Sequence, residues 1–374
     1  MTDVDYMRRA LALAAKARGF TSPNPMVGAV VVQGDRVVGE GYHAAAGEPH
    51  AEVVALAAAG DAARGATLYV TLEPCAHYGR TPPCTKAVIE AGIRRVVASI
   101  EDPNPKVKGR GFAELQKAGI SVEVGLLAAE ARRLNEAFFT FMERRRPFVL
   151  YKAAMSLDGK VAAYTGASRW ITSPPAREAV HRLRAEFDAV MVGIGTVLAD
   201  DPKLTARPPG SDRVRQPVRI VVDSRARIPL SARMLASTAS ARAIVATTTA
   251  APPAKVARLR QAGVDIWEGE PDAAGRVALA PFLGALAEQG ITSILLEGGP
   301  RLAGAMLRAG LIDKVLFCIA PLFLGGDGPG PIGGEGYPHP DAALRLSRWE
   351  TEAIGPDLFV WGYPEGAAHA GEAV

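Results

Sequence analysis

The sequence predicts an α/β protein of two domains, and three observations carry this prediction. Its 374 residues exceed the usual size of one hydrophobic core, so two cores are expected. Short apolar runs typical of buried strands alternate with longer segments typical of helices. Three consecutive arginines, Arg144 to Arg146, precede Pro147 and mark the predicted boundary between domains at 1–146 and 147–365. Residues 366–374 are small and polar and are expected to form a flexible tail.

The composition is that of an ordinary globular protein. Apolar residues make up 48% and charged residues 22% of the chain, which argues against extended disorder. No stretch approaches the roughly 18 uninterrupted apolar residues of a membrane span, and the N-terminus lacks a signal-peptide pattern. We therefore expect a cytoplasmic protein with no membrane partner. The net charge of +4 suits phosphate-bearing small substrates as well as nucleic acid.

The first domain is predicted to open with an amphipathic helix and a hairpin, followed by alternating helices and strands. The arginine run is interpreted as a set of cations at a helix C-terminus, with Pro147 ending that helix. The predicted ranges are 27–32 and 36–41 for the hairpin, 67–72, 93–100 and 120–124 for the other strands, and 49–59, 82–91, 111–118 and 128–143 for the helices.

The second domain is predicted to be a further α/β unit. Helices are expected at 174–186 and 301–309, and the Gly- and Pro-rich segment 325–340 is expected to be a loop. Asp200-Asp201-Pro202 is interpreted as a turn or helix end, and no second metal is predicted. The predicted strands are 148–155, 189–193, 218–222, 243–246, 291–296 and 315–319.

The strongest chemical signal is a set of soft and borderline metal ligands in the first domain. His50 lies at a predicted helix start, Cys75 follows a strand, and Cys84 lies at the start of another helix. Three protein ligands leave the fourth position of a tetrahedral zinc ion to a water molecule and lower the pKa of that water, as in catalytic zinc sites. The alternative is a surface histidine and two buried cysteines that behave as small apolar residues.

Glu52 lies two residues after His50 and is predicted to be the general acid/base that carries a proton from water to the departing amine. Thr81 is predicted to cap the helix of Cys84, with the two following prolines in its first turn. The thiolate of Cys84 would then face the positive helix end, which favours its charged form. These groups predict hydrolytic deamination of an amidine-like ring carbon.

The spacing of the cysteines narrows the family. The usual zinc-deaminase pattern is H-x-E followed by P-C-x-x-C, whereas eight residues separate Cys75 from Cys84. The segment PCAHYGRTPPC at 74–84, with NPMVG at 24–28 and GYH at 41–43, resembles the deaminase domain of the bifunctional riboflavin biosynthesis deaminase-reductases. The resemblance implies a cytidine-deaminase-like three-layer fold, zinc ligands at His50, Cys75 and Cys84, and Glu52 as the proton donor.

The resemblance also implies that Asn24, His43 and His77 contact the substrate. From the residues alone, Asn24 suits a turn between its flanking prolines, and either histidine suits a polar loop position.

Two glycine-containing turns follow predicted strands of the second domain. Gly193-Ile194-Gly195-Thr196 and Gly298-Gly299-Pro300-Arg301 can each bring backbone amides to a phosphate at a helix start. Such turns also need glycine for their geometry alone, and no G-x-G-x-x-G fingerprint follows the first strand of this domain. Cofactor binding therefore has to be argued from further motifs.

The segments KAAMSLDGK at 152–160, SRWIT at 168–172 and LTAR at 204–207 resemble the reductase domain of the same family, which is similar in fold to dihydrofolate reductase. The resemblance implies NADPH as a cofactor beside Zn²⁺. Lys152 and Asp158 either assist proton movement or are structural, and no reductase acid is assigned. The residues implied to contact NADPH are Ala154, Trp170, Thr196, Asp200, Ser224, Gly299, Pro300 and Arg301. Those implied to contact the substrate are Ser168, Arg184, Leu204, Arg207 and Glu297.

Arg184 and Arg207 are predicted to anchor a ribose 5-phosphate, because a guanidinium group offers forked donors to phosphate. Either could instead be an exposed helix or loop charge. Reduction of the ribosyl group requires its ring-opened form to meet the nicotinamide at close range, so positioning is the main task of the protein.

The sequence as a whole predicts two consecutive steps of riboflavin biosynthesis on one chain. A phosphoribosylated diaminopyrimidine loses its 2-amino group, and the ribosylamino group is then reduced to ribitylamino. One alternative is a nucleic-acid base deaminase, which leaves the second domain unexplained. Another is a nucleic-acid-binding protein with structural zinc, against which the 6% aromatic content argues. We predict no nucleic-acid partner, and homo-oligomer formation is left open.

Overall fold

The computed structural model describes residues 1–78, 82–211, 213–236 and 241–366. The chain divides into two compact units, Met1–Arg145 and Arg146–Val374, each built on its own sheet. The predicted tail lies outside the described residues except for Gly366. Among the helices that are described, none is both long and apolar enough to cross a membrane.

The first unit contains five strands and six α-helices within the described residues. In chain order these are α1 (Asp3–Ala15), β1 (Gly28–Gln33), β2 (Arg36–Tyr42), α2 (Ala51–Ala59), β3 (Thr67–Val70), α3 (Cys84–Glu90), β4 (Arg95–Ala98), α4 (Arg110–Lys117), β5 (Ser121–Val124), α5 (Ala128–Leu134) and α6 (Glu136–Arg144). The sheet order is β2-β1-β3-β4-β5, with β1 antiparallel to both of its neighbours and the remaining pairs parallel.

Close packing of α2 on β2 sets the position of the metal-ligand motif in the first unit. A Cβ atom on Gly41 would lie 2.6 Å from the carbonyl oxygen of Ala51, so only glycine permits this approach. The apolar face of α2, with Ala51 and Ala55 fully buried, packs into the core formed with β1 and β3. His50 and Glu52 at the start of α2 are thereby fixed to the sheet.

The predicted helix at 128–143 is wrong in one respect, because it is two helices separated at Asn135. The Asn135 side chain accepts a hydrogen bond from the amide of Met26 at 2.7 Å and donates to the Met26 carbonyl at 2.9 Å. Asparagine side chains readily form hydrogen bonds with backbone groups, which makes asparagine unfavourable inside a helix. Asn135 forms such bonds at the position where α5 ends and α6 begins.

The interpretation of the arginine run also needs correction at Arg146. Helix α6 ends at Arg144, and Arg145 follows in the left-handed conformation with φ of 53°. The guanidinium of Arg146, however, is paired with the buried carboxylate of Asp313 through two hydrogen bonds of 2.7 Å. Arg146 is therefore part of a specific ion pair within the second unit.

The second unit contains nine strands and five α-helices within the described residues. In chain order these are β6 (Phe148–Ser156), α7 (Pro174–Glu186), β7 (Ala189–Gly193), α8 (Ile194–Asp200), β8 (Val218–Val222), β9 (Ala243–Thr248), α9 (Pro253–Gln261), β10 (Asp265–Gly269), α10 (Leu279–Glu288), β11 (Ser293–Leu296), α11 (Pro300–Arg308), β12 (Lys314–Ala320), β13 (Leu346–Ile354) and β14 (Asp357–Pro364). The sheet order is β10-β9-β8-β7-β11-β6-β12-β14-β13.

The sheet of the second unit is parallel from β10 to β12 and ends in the antiparallel strands β14 and β13. Its central strands are apolar and buried, as expected for strands with both faces covered. The carboxyl ends of β8, β7 and β11 meet at one edge, where ligands bind in open α/β sheets. As predicted, Asp200 ends a helix, and segment 325–340 contains no helix or strand before Pro340.

Candidate active sites

His50, Cys75 and Cys84 converge at one point in the first unit. The Nδ1 atom of His50 and the two Sγ atoms all lie within 4.8 Å of one another. Three separate elements supply them, since His50 directly precedes α2, Cys75 follows β3, and Cys84 is the first residue of α3.

The spacing of the three atoms fits a zinc ion. His50 Nδ1 lies 3.1 Å from Cys84 Sγ and 3.6 Å from Cys75 Sγ. A tetrahedral zinc ion with ordinary bond lengths holds its nitrogen and sulfur ligands about 3.6 Å apart. One histidine and two cysteines therefore form a three-ligand set, which is the donor number of catalytic rather than structural zinc sites.

One thiol of this cluster, that of Cys75, favours the charged thiolate form. Hydrogen bonds from Cys84 and His50 lower the pKa of Cys75 well below that of a free thiol, and the backbone amide of Cys84 donates to the Cys75 sulfur at 3.4 Å. The predicted helix start at Pro82 is wrong, because α3 begins at Cys84 and Pro83 occupies the position before it. The predicted cap, Thr81, lies outside the described residues. Cys84 lies at the positive end of α3, but its hydrogen bond to Cys75 and its burial raise its pKa, so the predicted preference of Cys84 for the charged form is wrong and Cys75 is the charged thiol of the pair.

Glu52 is buried beside the cluster with only 3% of its surface exposed. Burial and the neighbouring thiolate of Cys75 raise the pKa of Glu52 to about 7. A carboxyl group with a pKa near neutrality can both accept and donate a proton at physiological pH, which is the property required of a general acid/base.

Asn24 and His43 are joined by a hydrogen bond beside the cluster. The Nδ1 atom of His43 lies 3.1 Å from the carbonyl oxygen of Pro49, so Nδ1 carries the proton. Its Nε2 atom then accepts from the Asn24 amide at 3.1 Å. The His43 ring lies edge-on to the ring of His50 and is almost fully buried. The buried Nδ1 atom of His77 has no hydrogen-bond partner among the described residues, so it takes no part in the hydrogen bonds between Asn24, His43 and Pro49.

Glu73 is a residue of this region that the sequence argument missed. Its carboxylate accepts hydrogen bonds from the backbone amides of Asp102, Gly109, Gly111 and Phe112, at distances from 2.9 to 3.4 Å. Glu73 therefore ties the loop before α4 to the segment that carries Cys75. The signal available in the sequence was a carboxylate directly before Pro74-Cys75 in an otherwise apolar segment.

The residues predicted to bind NADPH and substrate in the second unit all line one cavity of about 1720 Å³. The predicted cofactor residues on its wall are Ala154, Trp170, Thr196, Asp200, Ser224, Gly299, Pro300 and Arg301, and the predicted substrate residues are Ser168, Arg184, Leu204, Arg207 and Glu297. The cavity opens at the carboxyl ends of the central parallel strands.

The two glycine-containing turns meet inside this cavity. Gly298 and Gly299 have φ of 143° and 72°, and a Cβ atom on Gly298 would lie 2.9 Å from Oγ1 of Thr196. Glycine is thus required here for the backbone conformation and for the approach to α8. The first turn of α11 follows directly at Pro300, and Pro300, Arg301 and Leu302 of this turn line the cavity.

Several of the predicted residues make polar or cation–π contacts with other residues of the cavity wall. The Ser168 hydroxyl donates to the Asp200 carboxylate at 3.0 Å, and the Ser224 hydroxyl accepts from the Val277 amide at 3.1 Å. Trp170 is mostly exposed, and the guanidinium of Arg177 lies 4.6 Å from its ring centroid.

A group of charged side chains occupies one part of the cavity. Arg184 forms a forked pair with Glu297, and the ammonium group of Lys152 lies 3.9 Å from the same carboxylate. Arg207 is bonded to Thr205 and to the ring of His181 instead. Neither Lys152 nor His181 was among the predicted contacts, although His181 is three residues before Arg184 and so lies on the same helix face.

The comparisons with known proteins cover both units. A family model described as the RibD C-terminal domain matches residues 147–360, and one described as the cytidine and deoxycytidylate deaminase zinc-binding region matches residues 1–100. The riboflavin biosynthesis proteins RibD of Aquifex aeolicus and Escherichia coli are 46% and 44% identical to this chain, each over 96% of this chain and 98% of the relative.

Solved structures give the same result. RibD of Acinetobacter baumannii superimposes with a TM-score of 0.88 at 39% identity, and the Thermotoga maritima diaminohydroxyphosphoribosylaminopyrimidine deaminase/5-amino-6-(5-phosphoribosylamino)uracil reductase with 0.82 at 36% identity. Each comparison covers 97% of this chain and 98% of the other. The chain therefore belongs to the RibD family of bifunctional deaminase-reductases of riboflavin biosynthesis.

Proposed function

We propose that the first unit hydrolyses 2,5-diamino-6-(5-phosphoribosylamino)pyrimidin-4-one to 5-amino-6-(5-phosphoribosylamino)uracil and that the second unit reduces this product to 5-amino-6-(5-phosphoribitylamino)uracil. The observation that carries the proposal is the convergence of His50, Cys75 and Cys84 beside the buried Glu52. It supports a zinc deaminase independently of the family, because one histidine and two cysteines with their ligand atoms within 4.8 Å of one another form the donor set of a catalytic zinc site.

The zinc ion bound by the three ligands would supply an activated water molecule to the first unit. Glu52 accepts a proton from this attacking water and passes it to the 2-amino group, which leaves as ammonia when the C2–N bond breaks. The raised pKa of Glu52 supports both transfers, since the group can exist in either form near neutral pH. Asn24, His43 and His77 are proposed to shape the pyrimidine pocket, with Asn24 as the most exposed of the three.

NADPH bound in the second unit would supply a hydride to C1 of the ring-opened ribosyl group, and uptake of one proton would complete the reduction. The two glycine-containing turns, with Thr196 and Ser224, are proposed to hold the cofactor phosphates and ribose near the strand ends. Ser168, Leu204, Arg207 and the Arg184–Glu297 pair are proposed to hold the substrate. The common cavity supports this assignment, because cofactor and substrate must meet within van der Waals distance.

The cytoplasm is the proposed location. Thiol ligands of zinc have to stay reduced, as they do in that compartment, and all three cysteines are free. The proposed partners are the phosphorylated pyrimidine and NADPH, with no nucleic acid and no membrane. A nucleic-acid base deaminase is the less favoured candidate, because it gives no role to the second cavity.

Stepwise product analysis tests the proposal on the full zinc-loaded chain. Without NADPH, the wild type is expected to release one ammonia per diaminopyrimidine substrate and to stop. Addition of NADPH is then expected to yield the ribityl product with one NADPH oxidised per molecule. Glu52→Ala should block ammonia release while still reducing the deaminated intermediate when this is supplied. A wild type that retains zinc but releases no ammonia would contradict the proposal, and single-stranded oligonucleotides would be the next substrates.

A further inference from the structure

His181 lies on α7 and faces the charged part of the second cavity. Its Nε2 atom is 3.1 Å from Nη2 of Arg207, and its ring lies one helical turn from Arg184. A guanidinium group can only donate hydrogen bonds, so Nε2 of His181 must be the acceptor and carry no proton. The ring is therefore neutral in this contact.

The loop that carries Arg207 is held in place by other contacts. The carbonyl of Thr205 accepts from Nη1 of Arg184 at 3.2 Å, and the amide and carbonyl of Ala206 are paired with the side chain of Gln216 at 3.0 and 2.9 Å. Leu204 is buried and has φ of 53°, a conformation that is unfavourable for non-glycine residues and persists where the surroundings impose it. These contacts fix the position of the loop, which forms part of the cavity wall.

Arg207 itself is directed by two side chains. Its Nη1 donates to the hydroxyl and carbonyl of Thr205, and its Nη2 donates to His181. The Nε proton and the second Nη2 proton have no partner among the described residues, and no described carboxylate pairs with this guanidinium. Arg207 therefore keeps a charge and unused donors on the cavity wall.

The charges around Arg207 favour an anion. Lys152, Arg184 and Arg207 are cationic, whereas Glu297 is the one carboxylate that pairs with any of them among the described residues. The excess of positive charge matches a phosphate monoester, which carries close to two negative charges at neutral pH. Arg184 is committed to Glu297 through Nε and Nη2, so Arg207 is the guanidinium with donors to spare.

We propose that His181 is a positioning residue of the reductase site, whose neutral imidazole aims the guanidinium of Arg207 at the 5-phosphate of the substrate. This inference rests on the proposed function for the identity of the phosphate. The imidazole suits the task because it offers an acceptor without adding a negative charge that would compete with the phosphate. A carboxylate at this position would neutralise Arg207, and an aliphatic side chain would leave Thr205 as the one hydrogen-bond partner of Arg207 among the described residues.

Binding of ribose 5-phosphate to the full-length chain saturated with NADPH tests the inference without turnover. His181→Leu is expected to weaken ribose 5-phosphate binding about tenfold, the effect of losing one hydrogen bond to a charged group. His181→Gln, whose carbonyl can reach the position of Nε2, is expected to restore most of the affinity. His181→Asn, which cannot reach it, is expected to behave like leucine. NADPH affinity and ammonia release should stay at wild-type values in all three variants.

A double-mutant cycle tests whether His181 acts through Arg207. Arg207→Met is expected to weaken ribose 5-phosphate binding more than His181→Leu, and the double variant should bind no more weakly than Arg207→Met alone. In turnover, His181→Leu should raise KM for the deaminated intermediate by a larger factor than it lowers kcat. Additive losses in the cycle, equal losses for glutamine and leucine, or a parallel loss of NADPH affinity would each overturn the inference.

The phosphate in question could also belong to the cofactor, and competition separates the two sources. If Arg207 binds the substrate phosphate, ribose 5-phosphate and NADPH bind together, and ribose without phosphate shows no dependence on His181. Mutual exclusion of ribose 5-phosphate and NADPH would overturn the assignment to substrate. If the wild type binds ribose 5-phosphate but does not reduce the intermediate, the proposed function is contradicted. The inference that Arg207 and His181 bind a phosphate group would still hold in that case.

Discussion

Arg184 and Glu297 form a forked ion pair in the wall of the second cavity. Nη2 of Arg184 donates to one carboxylate oxygen at 2.9 Å, and its Nε donates to the other. Burial would raise the pKa of Glu297, but Arg184 and Lys152 hold that pKa below its ordinary value, so the carboxylate stays charged. Only 15% and 9% of the two side chains is exposed, which makes each charge dependent on the other.

Arg184→Met is predicted to destabilise the second unit by about 3–5 kcal/mol, because it leaves a buried carboxylate with Lys152 as its remaining counter-ion. Denaturation followed by tryptophan fluorescence measures this, since all four tryptophans lie in the second unit. Arg182→Met, an exposed position on the same helix, is the matched control. Adding Glu297→Gln to Arg184→Met should recover part of the loss. Equal stability of the Arg184 and Arg182 variants would contradict the prediction.

Cys75→Ser and Cys84→Ser are each predicted to abolish stable zinc binding and ammonia release, because a serine hydroxyl is a far weaker zinc ligand than a thiolate. The measurement is metal content after dialysis, which should fall from about one zinc per chain to a small fraction. Cys318→Ser is the matched control, since Cys318 is a buried cysteine on β12 of the other unit. Retention of zinc by either of the first two variants would exclude that cysteine as a ligand.

Glu52→Gln is predicted to slow ammonia release by about 10²–10⁴-fold, the usual contribution of a general acid/base, while zinc content stays the same. Glutamine keeps the shape of the side chain but can neither take up nor deliver the proton. Glu90→Gln, an exposed position on α3, serves as the control. A Glu52→Gln enzyme that has lost its zinc would show that the carboxyl group acts on metal binding instead.

The sequence predicted the two-unit α/β organisation and the metal cluster because those signals are local. Short apolar runs identified β7 and β8 at their observed bounds, and the ligand motifs are contiguous or nearly so. Strands β10 and β13 were missed because they are edge strands with mainly polar or exposed residues and lack the apolar run of a central strand. Strand β14 was missed although Leu358 to Trp361 form such a run.

The remaining errors concern contacts between residues that are distant in the chain. The break at Asn135 depends on Met26, and the role of Arg146 depends on Asp313. The same limit applies within the sites, where His181 and Glu73 act on Arg207 and on the loop before α4. A local sequence pattern cannot predict a contact between residues that are 26 positions apart, as His181 and Arg207 are, or 36 positions apart, as Glu73 and Gly109 are.

Glu73→Gln is predicted to destabilise the loop that precedes α4. The carboxylate of Glu73 accepts hydrogen bonds from four backbone N–H groups, two at each oxygen. In glutamine one of these oxygens is replaced by an NH₂ group, which cannot accept, so two backbone donors lose their partner. Each buried donor left unsatisfied costs about 1–3 kcal/mol. Hydrogen exchange is the direct measurement, with faster exchange expected at Asp102, Gly109, Gly111 and Phe112. Glu114→Gln on α4 is the control for a carboxyl group outside the network. Unchanged exchange at these amides would show that the network contributes nothing to local stability.

His181 is predicted to stay neutral well below the pH at which an ordinary histidine becomes charged. Burial and the positive charges of Arg184 and Arg207 lower its pKa to about 4, although Glu297 acts in the opposite direction. Because the unfolded chain binds this proton with a pKa near 6.5, the unfolded state holds more protons between about pH 4 and 6.5. The contribution of His181 to folding stability is therefore complete above pH 6.5 and declines as the pH falls through that window.

An NMR titration, with the resonance assigned by its loss in His181→Gln, measures the pKa of His181 directly. Arg207→Met should move this pKa upward, because it removes one of the two neighbouring cations. A resonance that titrates near pH 6.5 in the wild type would show that His181 is not held against Arg207 in solution.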